Sequence, residues 1–305
     1  MIGMSRLSWI LLPALTFAPC ALLSGADKPA PTHPLFIDNG QVRLGVDLDS
    51  GGSIFHFGKS GEASPNLLNH YDKGRFIQQS YYGRTDGSMW AKKPWRWNPV
   101  QGGGYRGEPA KVIQNEQGKN TLRIVSIPRH WATGEAIDEA RMASVLTLDG
   151  PVARLHFAFR YTGETSHPPS HQELPAVFID AAYPNLVRYQ GKAPWTGAEL
   201  TRTIPGWPNE GVQADENWAA YMNDKDDGIG VYFPGSTQLT TYRYKGDGKE
   251  GPTGSACSYF APIRKFAITP GMDFQYDIYL TLGNAAEIRA RFAQVHRAAE
   301  APAPR

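Results

Sequence analysis

A two-residue hydrophobic period, recurring from one end of the chain to the other, limits what it can become. It is clearest at Phe274, Tyr276, Ile278, Leu280 and Leu282. Successive side chains of a strand point to opposite faces, so such a run gives its sheet two unlike faces. Val42, Leu44, Val46 and Leu48 repeat the pattern near the start. The turn Ser50-Gly51-Gly52 follows, and Ile54, Phe55 and Phe57 continue as a second strand. Further strands are predicted at 75–82, 122–127, 143–148, 155–161, 177–179, 218–222, 229–233 and 239–244. Gly and Pro turns separate them. This density predicts an all-β fold, a large antiparallel β-sandwich of the supersandwich or jelly-roll kind. One C-terminal helix is expected. Asn284 suits its N-cap, Glu287 sits where a capping box places its acid, and Ile288, Phe292 and Val295 share a face.

The N-terminus reads as a targeting segment. Arg6 supplies positive charge, residues 9–23 are mostly apolar but broken by Pro13 and Pro19, and Ser24-Gly25-Ala26 offers small residues for cleavage. The expected organisation is a signal peptide at 1–26, a flexible lead-in at 27–34, a single β-sandwich domain at 35–298 and a disordered tail at 299–305. The apolar run is too short and too interrupted to be assigned a membrane span, and the expected location is secreted or periplasmic. Cys20 lies in the leader, which leaves Cys257 and no internal disulfide. No motif surrounds Cys257, so it reads as a buried structural thiol.

A formal net charge of +2 argues against nucleic acid as a partner. The 8 Trp and 14 Tyr exceed what core filling asks for, because each carries a polar group needing a partner. Ligand platforms use such residues. Two stretches, 83–107 and 184–209, show no strand periodicity and read as long loops of the kind that shape binding sites.

Four groups of residues could carry chemistry. On a strand at 75–82, Arg75, Gln79 and Tyr81 share a face, a row of donors and acceptors suited to sugar hydroxyls or a sugar carboxylate. A solvent-facing strand with cross-strand polar pairs is the plainer account. Trp95 and Trp97, with Trp90 nearby and Asn98 and Gln101 beside them, combine stacking faces with amides. They could equally tie down their loop. His167, His171 and Glu173 fall in a proline-bounded stretch where Glu173 and His171 could act as acid, base or positioning group. Their spacing matches no familiar metal signature, and a surface loop without chemistry is the alternative. Glu216 beside Trp218 at a strand start completes the set. Glycoside hydrolysis requires two carboxylates flanking the bond, and Glu173 with Glu216 is the pair this reading selects. Asn223 to Gly228 looks calcium-like, but Lys225 stands where a ligand oxygen belongs, and Asp227-Gly228 reads as a hairpin turn. No Gly-x-Ser-x-Gly elbow is present. The residues call for no metal and no cofactor.

The run from Val42 through the Gly51-Gly52 turn to Ile54 resembles the first hairpin of galactose-mutarotase-like proteins. The resemblance implies a large antiparallel supersandwich and a carbohydrate substrate or ligand. In the epimerases of that superfamily a His and a Glu serve as acid and base; His171 and Glu173 match in type but lie closer together in sequence. Export points instead to a polymer or oligosaccharide. Three functions follow. A hydrolase would use Glu173, Glu216 and His171, with sugar held by Arg75, Gln79, Tyr81 and the Trp cluster. A polysaccharide lyase would use Arg75 against a uronate, with Tyr81 and His70 moving the proton. A cell-envelope protein would bind carbohydrate without chemistry.

Overall fold

Alternation becomes two stacked sheets. The computed structural model describes residues 34–300. The expected signal peptide, all but one residue of the lead-in and most of the expected tail lie outside the described residues. The first strands are β1 (Leu35–Asp38), β2 (Val42–Asp47), β3 (Ser53–Lys59), β4 (Ile77–Ser80), β5 (Thr85–Trp90), β6 (Lys93–Arg96) and β7 (Pro99–Val100). Next come β8 (Lys111–Gln117), β9 (Thr121–Ile127), β10 (Arg129–His130), β11 (Ala140–Asp149), β12 (Val152–Tyr161), β13 (His167–Asp180) and β14 (Asn185–Arg188). The remainder are β15 (Thr201–Thr203), β16 (Glu210–Gln213), β17 (Trp218–Met222), β18 (Gly228–Tyr232), β19 (Gln238–Tyr244), β20 (Cys257–Ile268) and β21 (Asp273–Gly283), followed by helix α1 (Ala285–Glu300).

Sheet one runs β1-β2-β3-β4-β13-β20-β19-β16, with β7 and β10 attached beside β4. Sheet two runs β15-β14-β17-β18-β21-β12-β11-β9-β8. The pairings are antiparallel throughout, including the expected β2–β3 hairpin. Leu44, Phe57, Ile77, Val177 and Phe260 from sheet one meet Leu122, Leu146, Leu155, Val231 and Leu280 from sheet two in one buried core. Each such side chain contributes about 1.5–3 kcal/mol by leaving water. No helix among the described residues is long and apolar enough to cross a membrane.

Helix α1 covers the outer face of sheet two. Asn284 Oδ1 accepts from Glu287 N at 3.0 Å, and Asn284 N donates back to Glu287 Oε2 at 3.3 Å, a complete capping box. Ile288, Phe292 and Val295 pack on Trp218, Met222 and Tyr232. Helical hydrogen bonding continues to Glu300, two residues beyond the expected domain limit. Glu216, fully buried, locks this arrangement. Arg289 grips it from the helix, with Nε at 2.9 Å from Oε2 and Nη2 at 2.5 Å from Oε1. Trp218 Nε1 and Trp195 N donate to the same carboxylate at 2.9 and 2.6 Å.

Several loops of the sequence reading are strands. The stretch 83–107 contains the β5–β6 hairpin, whose Ala91 and Lys92 turn residues have φ of 50° and 62°. That is the backbone of a tight primed turn made without the glycine that normally announces it. The stretch 184–209 supplies β14 and β15 to the edge of sheet two. The proline-bounded stretch 167–175 lies within the 14-residue strand β13, and the sequence reading passed over β20 altogether. The 223–228 segment is the β17–β18 turn, with Asn223 Oδ1 accepting from Lys225 N and Asp227 N at 2.9 and 3.0 Å.

Replacing Glu216 by Gln leaves the Arg289 guanidinium unpaired in a largely buried site. A loss of roughly 3–5 kcal/mol in unfolding free energy is expected, read by chemical denaturation; a loss below about 1 kcal/mol would show that the pair does not anchor α1.

Candidate functional site

A cavity of about 820 Å³ opens on the outer face of sheet one. Its floor comes from alternate residues of four adjacent strands. Ser80 from β4, with Tyr82 just beyond its end, stands beside His171, Glu173, Ala176 and Phe178 of β13. Tyr259 and Ile263 of β20 follow, then Thr240, Tyr242 and Tyr244 of β19. A register shift in β13 between Glu173 and Val177 explains why Glu173 and Ala176 both face outward. Beyond the shift, Val177 and Ile179 enter the core while Phe178 stays on the cavity side.

Glu173 is the carboxyl at the centre of this floor. Tyr259 donates to its Oε1 at 2.7 Å, and Tyr82 forms a second hydroxyl contact with it. Burial pushes the Glu173 carboxyl above its ordinary range, and the two tyrosine bonds pull only partly the other way. Burial likewise holds Tyr82, Tyr242 and Tyr259 well above the usual phenol value. The result is a carboxyl that keeps its proton further towards neutral pH than a free glutamate would, among phenols that stay neutral. Such a group can act as a general acid. His171 lies two residues away on the same face and is exposed.

Aromatic walls stand on two sides. The β5–β6 hairpin brings Trp90 against Trp95, ring centroids 4.7 Å apart, and Trp131 packs on Trp90 at 5.9 Å. The hairpin is pinned where Gly83 N donates to Trp97 O at 2.7 Å and where His130 Nε2 meets Asp86 Oδ2 at 2.7 Å. His130 Nδ1 accepts from Ala132 N at 3.1 Å, which puts the proton on Nε2. On the far side Trp207 packs edge-on to Tyr242 at 4.9 Å and against Tyr244 at 5.0 Å. Arg75 sits at the rim, bonded to Ser255 O at 2.8 Å and 3.5 Å from Asp72 Oδ2. Arg96 lines the hairpin side, 6.0 Å from the Tyr82 ring centre, and no carboxylate pairs with it among the described residues.

The structure brings together Glu173, His171, Arg75, Trp95 and Asn98 of the residues selected from sequence. Asn98 is buried and committed within the protein, accepting from Trp95 Nε1 at 3.2 Å and donating to Tyr81 O at 2.8 Å and Ser80 Oγ at 3.3 Å. The others lie elsewhere. Glu216 and Trp218 are under α1, behind sheet two, so Glu173 and Glu216 do not flank one site. Gln79 and Tyr81 point between the sheets. Tyr81 OH donates to Gln79 Oε1 at 2.9 Å, and Gln79 Nε2 donates to Ala143 O of sheet two at 3.1 Å. Gln101 joins this buried network, with its Oε1 accepting from Gln79 N at 3.1 Å and its Nε2 donating to Gly51 O at 3.2 Å. Trp97 stacks on buried His167 at 4.1 Å. His70 packs edge-on to Phe55 at 5.4 Å, outside the cavity lining, its imidazole pKa lowered by burial.

Sequence reading missed Tyr82, Trp131, Trp207, Tyr242, Tyr259 and the second carboxylate, Asp72. One signal was available: Tyr242 and Tyr244 lie two apart in a predicted strand and therefore share a face. Cys257 is buried, as expected, and burial raises its thiol to about 11.

No protein-family model matches the chain, and no curated protein matches its sequence. Solved structures do resemble it. A galactose mutarotase related enzyme from Lactobacillus acidophilus aligns at TM-score 0.53 and 11% identity, covering 83% of this chain and 98% of that one. A putative aldose 1-epimerase from Escherichia coli K12 aligns at TM-score 0.53 and 12% identity, covering 83% and 100%. A galactose mutarotase-like protein from Lactobacillus casei aligns at 0.54 and 12%, covering 82% and 100%. At this identity the likeness shows the fold alone: two stacked antiparallel sheets arranged as in these galactose mutarotase-like structures.

Because the Glu173 carboxyl is raised by burial, folding binds its proton more tightly than the unfolded chain does. Its stabilising effect is complete below the ordinary glutamate value of 4.5 and is lost as pH rises through the folded value. Glu173→Gln is therefore expected to raise Tm at neutral pH and to leave it unchanged below pH 4.5. Equal Tm differences at both pH values would remove the burial account.

Proposed function

We propose that this protein is an exported carbohydrate-active enzyme that holds a poly- or oligosaccharide in the sheet-one cavity and acts on it by proton transfer from Glu173. The observation that carries this reading is Glu173 itself, a half-buried carboxyl held above its ordinary pKa by desolvation, bonded to two tyrosines and set between two aromatic walls. Sugar rings present C–H faces that stack on indoles and hydroxyls that need amides and acids. Trp90, Trp95, Trp131 and Trp207 supply the first, and Asn209 and Glu173 the second. Among the described residues this is the larger of the two cavities that stand out, and it is the one that holds an acid with a raised pKa.

The reaction this reading favours is hydrolysis. Glu173 gives its proton to the glycosidic oxygen, the bond to the anomeric carbon breaks, and water adds there. His171, on the same face of β13, takes the proton that the water loses. This replaces Glu216 in the role a second carboxylate would fill. One observation favours a second reaction. Arg96 faces the cavity without a carboxylate partner among the described residues, which suits a uronic acid and therefore β-elimination, with His171 or Tyr82 moving the proton.

Purified protein incubated with neutral and uronic polymers separates the two. New reducing ends without near-ultraviolet absorbance mark hydrolysis, and an absorbing unsaturated product marks elimination. Glu173→Gln should lower turnover by about 10²–10⁴-fold while saccharide affinity persists. Full turnover in that variant removes Glu173 from the mechanism. Export is checked separately by sequencing the N-terminus of protein recovered outside the cytoplasm. It should begin at Asp27; recovery of intact Met1 would remove the leader from the proposal.

A further inference from the structure

We infer that the ligand of this cavity is a chain of several sugar units that crosses the strands of sheet one, with a distal binding subsite built by Trp207, Tyr242 and Tyr244. The inference rests on the proposed saccharide reading and adds to it the length and path of the ligand.

Three observations carry it. The first is the distance between the walls. β4, β13, β20 and β19 are consecutive in the sheet. Neighbouring strands lie about 4.8 Å apart, so the backbones of β4 and β19, which flank the floor beneath the two walls, lie three intervals, ~14 Å, apart across the sheet. That exceeds one pyranose ring. A monosaccharide beside Glu173 could touch one wall or the other, whereas a chain running across the strands meets both.

The second is the exposure of the far wall. Trp207 is 59% exposed and Tyr244 39%, and both line the cavity. Tyr71, 53% exposed, continues the surface on the far side of the Arg75 guanidinium, which lies 4.9 Å from its ring centre and 5.8 Å from that of Tyr244. Clustered exposed aromatics of this size mark a contact surface rather than scattered surface apolarity.

The third is that Trp207 is held in place rather than left loose. Its ring is flanked by Tyr242 and Tyr244, and Tyr242 itself stacks on Tyr259 at 4.4 Å. The segment carrying it is tied to β19 where Arg243 N donates to Gly206 O at 2.9 Å and Asn209 Nδ2 to Thr240 Oγ1 at 2.9 Å. Tyr259 in turn bonds Glu173. The distal wall and the acid are thus linked by a continuous series of ring contacts and one hydrogen bond, and a ring seated on Trp207 places the rest of its chain over the floor. The alanine face of α1, which lines the second cavity with Trp195 and Arg202, carries no comparable argument, since nothing there points to an occupant.

The test measures affinity of the whole protein for reducing-end-labelled oligosaccharide ladders, from disaccharide to octasaccharide. The ladders are prepared from a glucan, a xylan, a mannan and a polygalacturonan. Parent, Trp207→Ala and Trp207→Phe proteins are compared. For the ladder that binds, parent affinity should climb with chain length before levelling. Trp207→Ala should weaken the longer members by about tenfold, leave the shortest bound member unchanged, and be largely rescued by Trp207→Phe. Trp207 is mostly solvent-exposed, so unchanged Tm is expected and verifies that the variant is folded. Affinity already level at the disaccharide, or an equal loss at every length, overturns the subsite while leaving the saccharide reading in place. No binding of any ladder by the parent protein removes both.

Discussion

Everything at the candidate site depends on β13 being paired on both sides. β4 holds one edge and β20 the other, so the strand cannot rotate or slip without breaking two ladders. A one-residue slip would send every outward side chain into the core. The register shift after Glu173 is tolerated within that frame, and it places Glu173 and Ala176 on one side with Leu174 and Val177 on the other. Gln172 reinforces the setting from beneath. Its Oε1 accepts from Tyr82 N at 2.6 Å and its Nε2 donates to Tyr82 O at 3.0 Å, an amide clamp on the residue whose hydroxyl reaches Glu173.

A second set of buried amides positions the same floor from the β4 side. Gln78 accepts from Gly102 N at 2.6 Å and donates to Lys73 O at 3.2 Å, while Gln79, Tyr81 and Gln101 satisfy one another between the sheets. A polar row in a core costs stability unless every member finds a partner, and once satisfied it specifies a single arrangement. Here it binds β4 to the chain around Gln101 and to sheet two. Ser80 and Tyr82 are consequently held on the cavity side by bonds made on the opposite face.

This row also shows how far the sequence could be read. Period two separates Ile77, Gln79 and Tyr81 from Ser80 and Tyr82, and that sorting holds within β4. Arg75, which precedes the strand, does not share the face of Gln79 and Tyr81 and sits on the cavity side instead. The period could not say which set faces outward, because polarity usually marks the solvent side, and in this strand the polar set is buried. The strands with apolar inward faces, from the β2–β3 hairpin to β21, were legible for the converse reason. The helix was legible because its capping box is local chemistry. The β5–β6 hairpin was not, since Ala91 and Lys92 adopt a positive φ that neither residue advertises and few of its side chains are buried to leave a pattern. Glu216 beside Trp218 looked like a ligand pair because an acid next to an indole is ambiguous in one dimension. The deciding partner, Arg289, lies 73 residues away.

The two glutamates make the point about environment sharply. Glu216 is fully buried, Glu173 is half-buried on the cavity floor, and both are hydrogen-bonded. Glu216 has a guanidinium bonded to both oxygens, so its charge is matched and it serves as a structural anchor. Glu173 has only neutral phenols, which can donate hydrogen bonds but cannot balance a full charge. Burial therefore favours its protonated form. Nothing in the likeness of fold assigns a reaction, because one supersandwich can carry different chemistries on the same face. What distinguishes this chain is local: the guanidinium went to the acid beneath the helix, and the acid beneath the open cavity was left without one. A carboxyl in that position is costly to ionise, so it still holds its proton at pH values where a free glutamate has lost it. It lies on the same stretch of sheet as the exposed aromatics Trp207 and Tyr244.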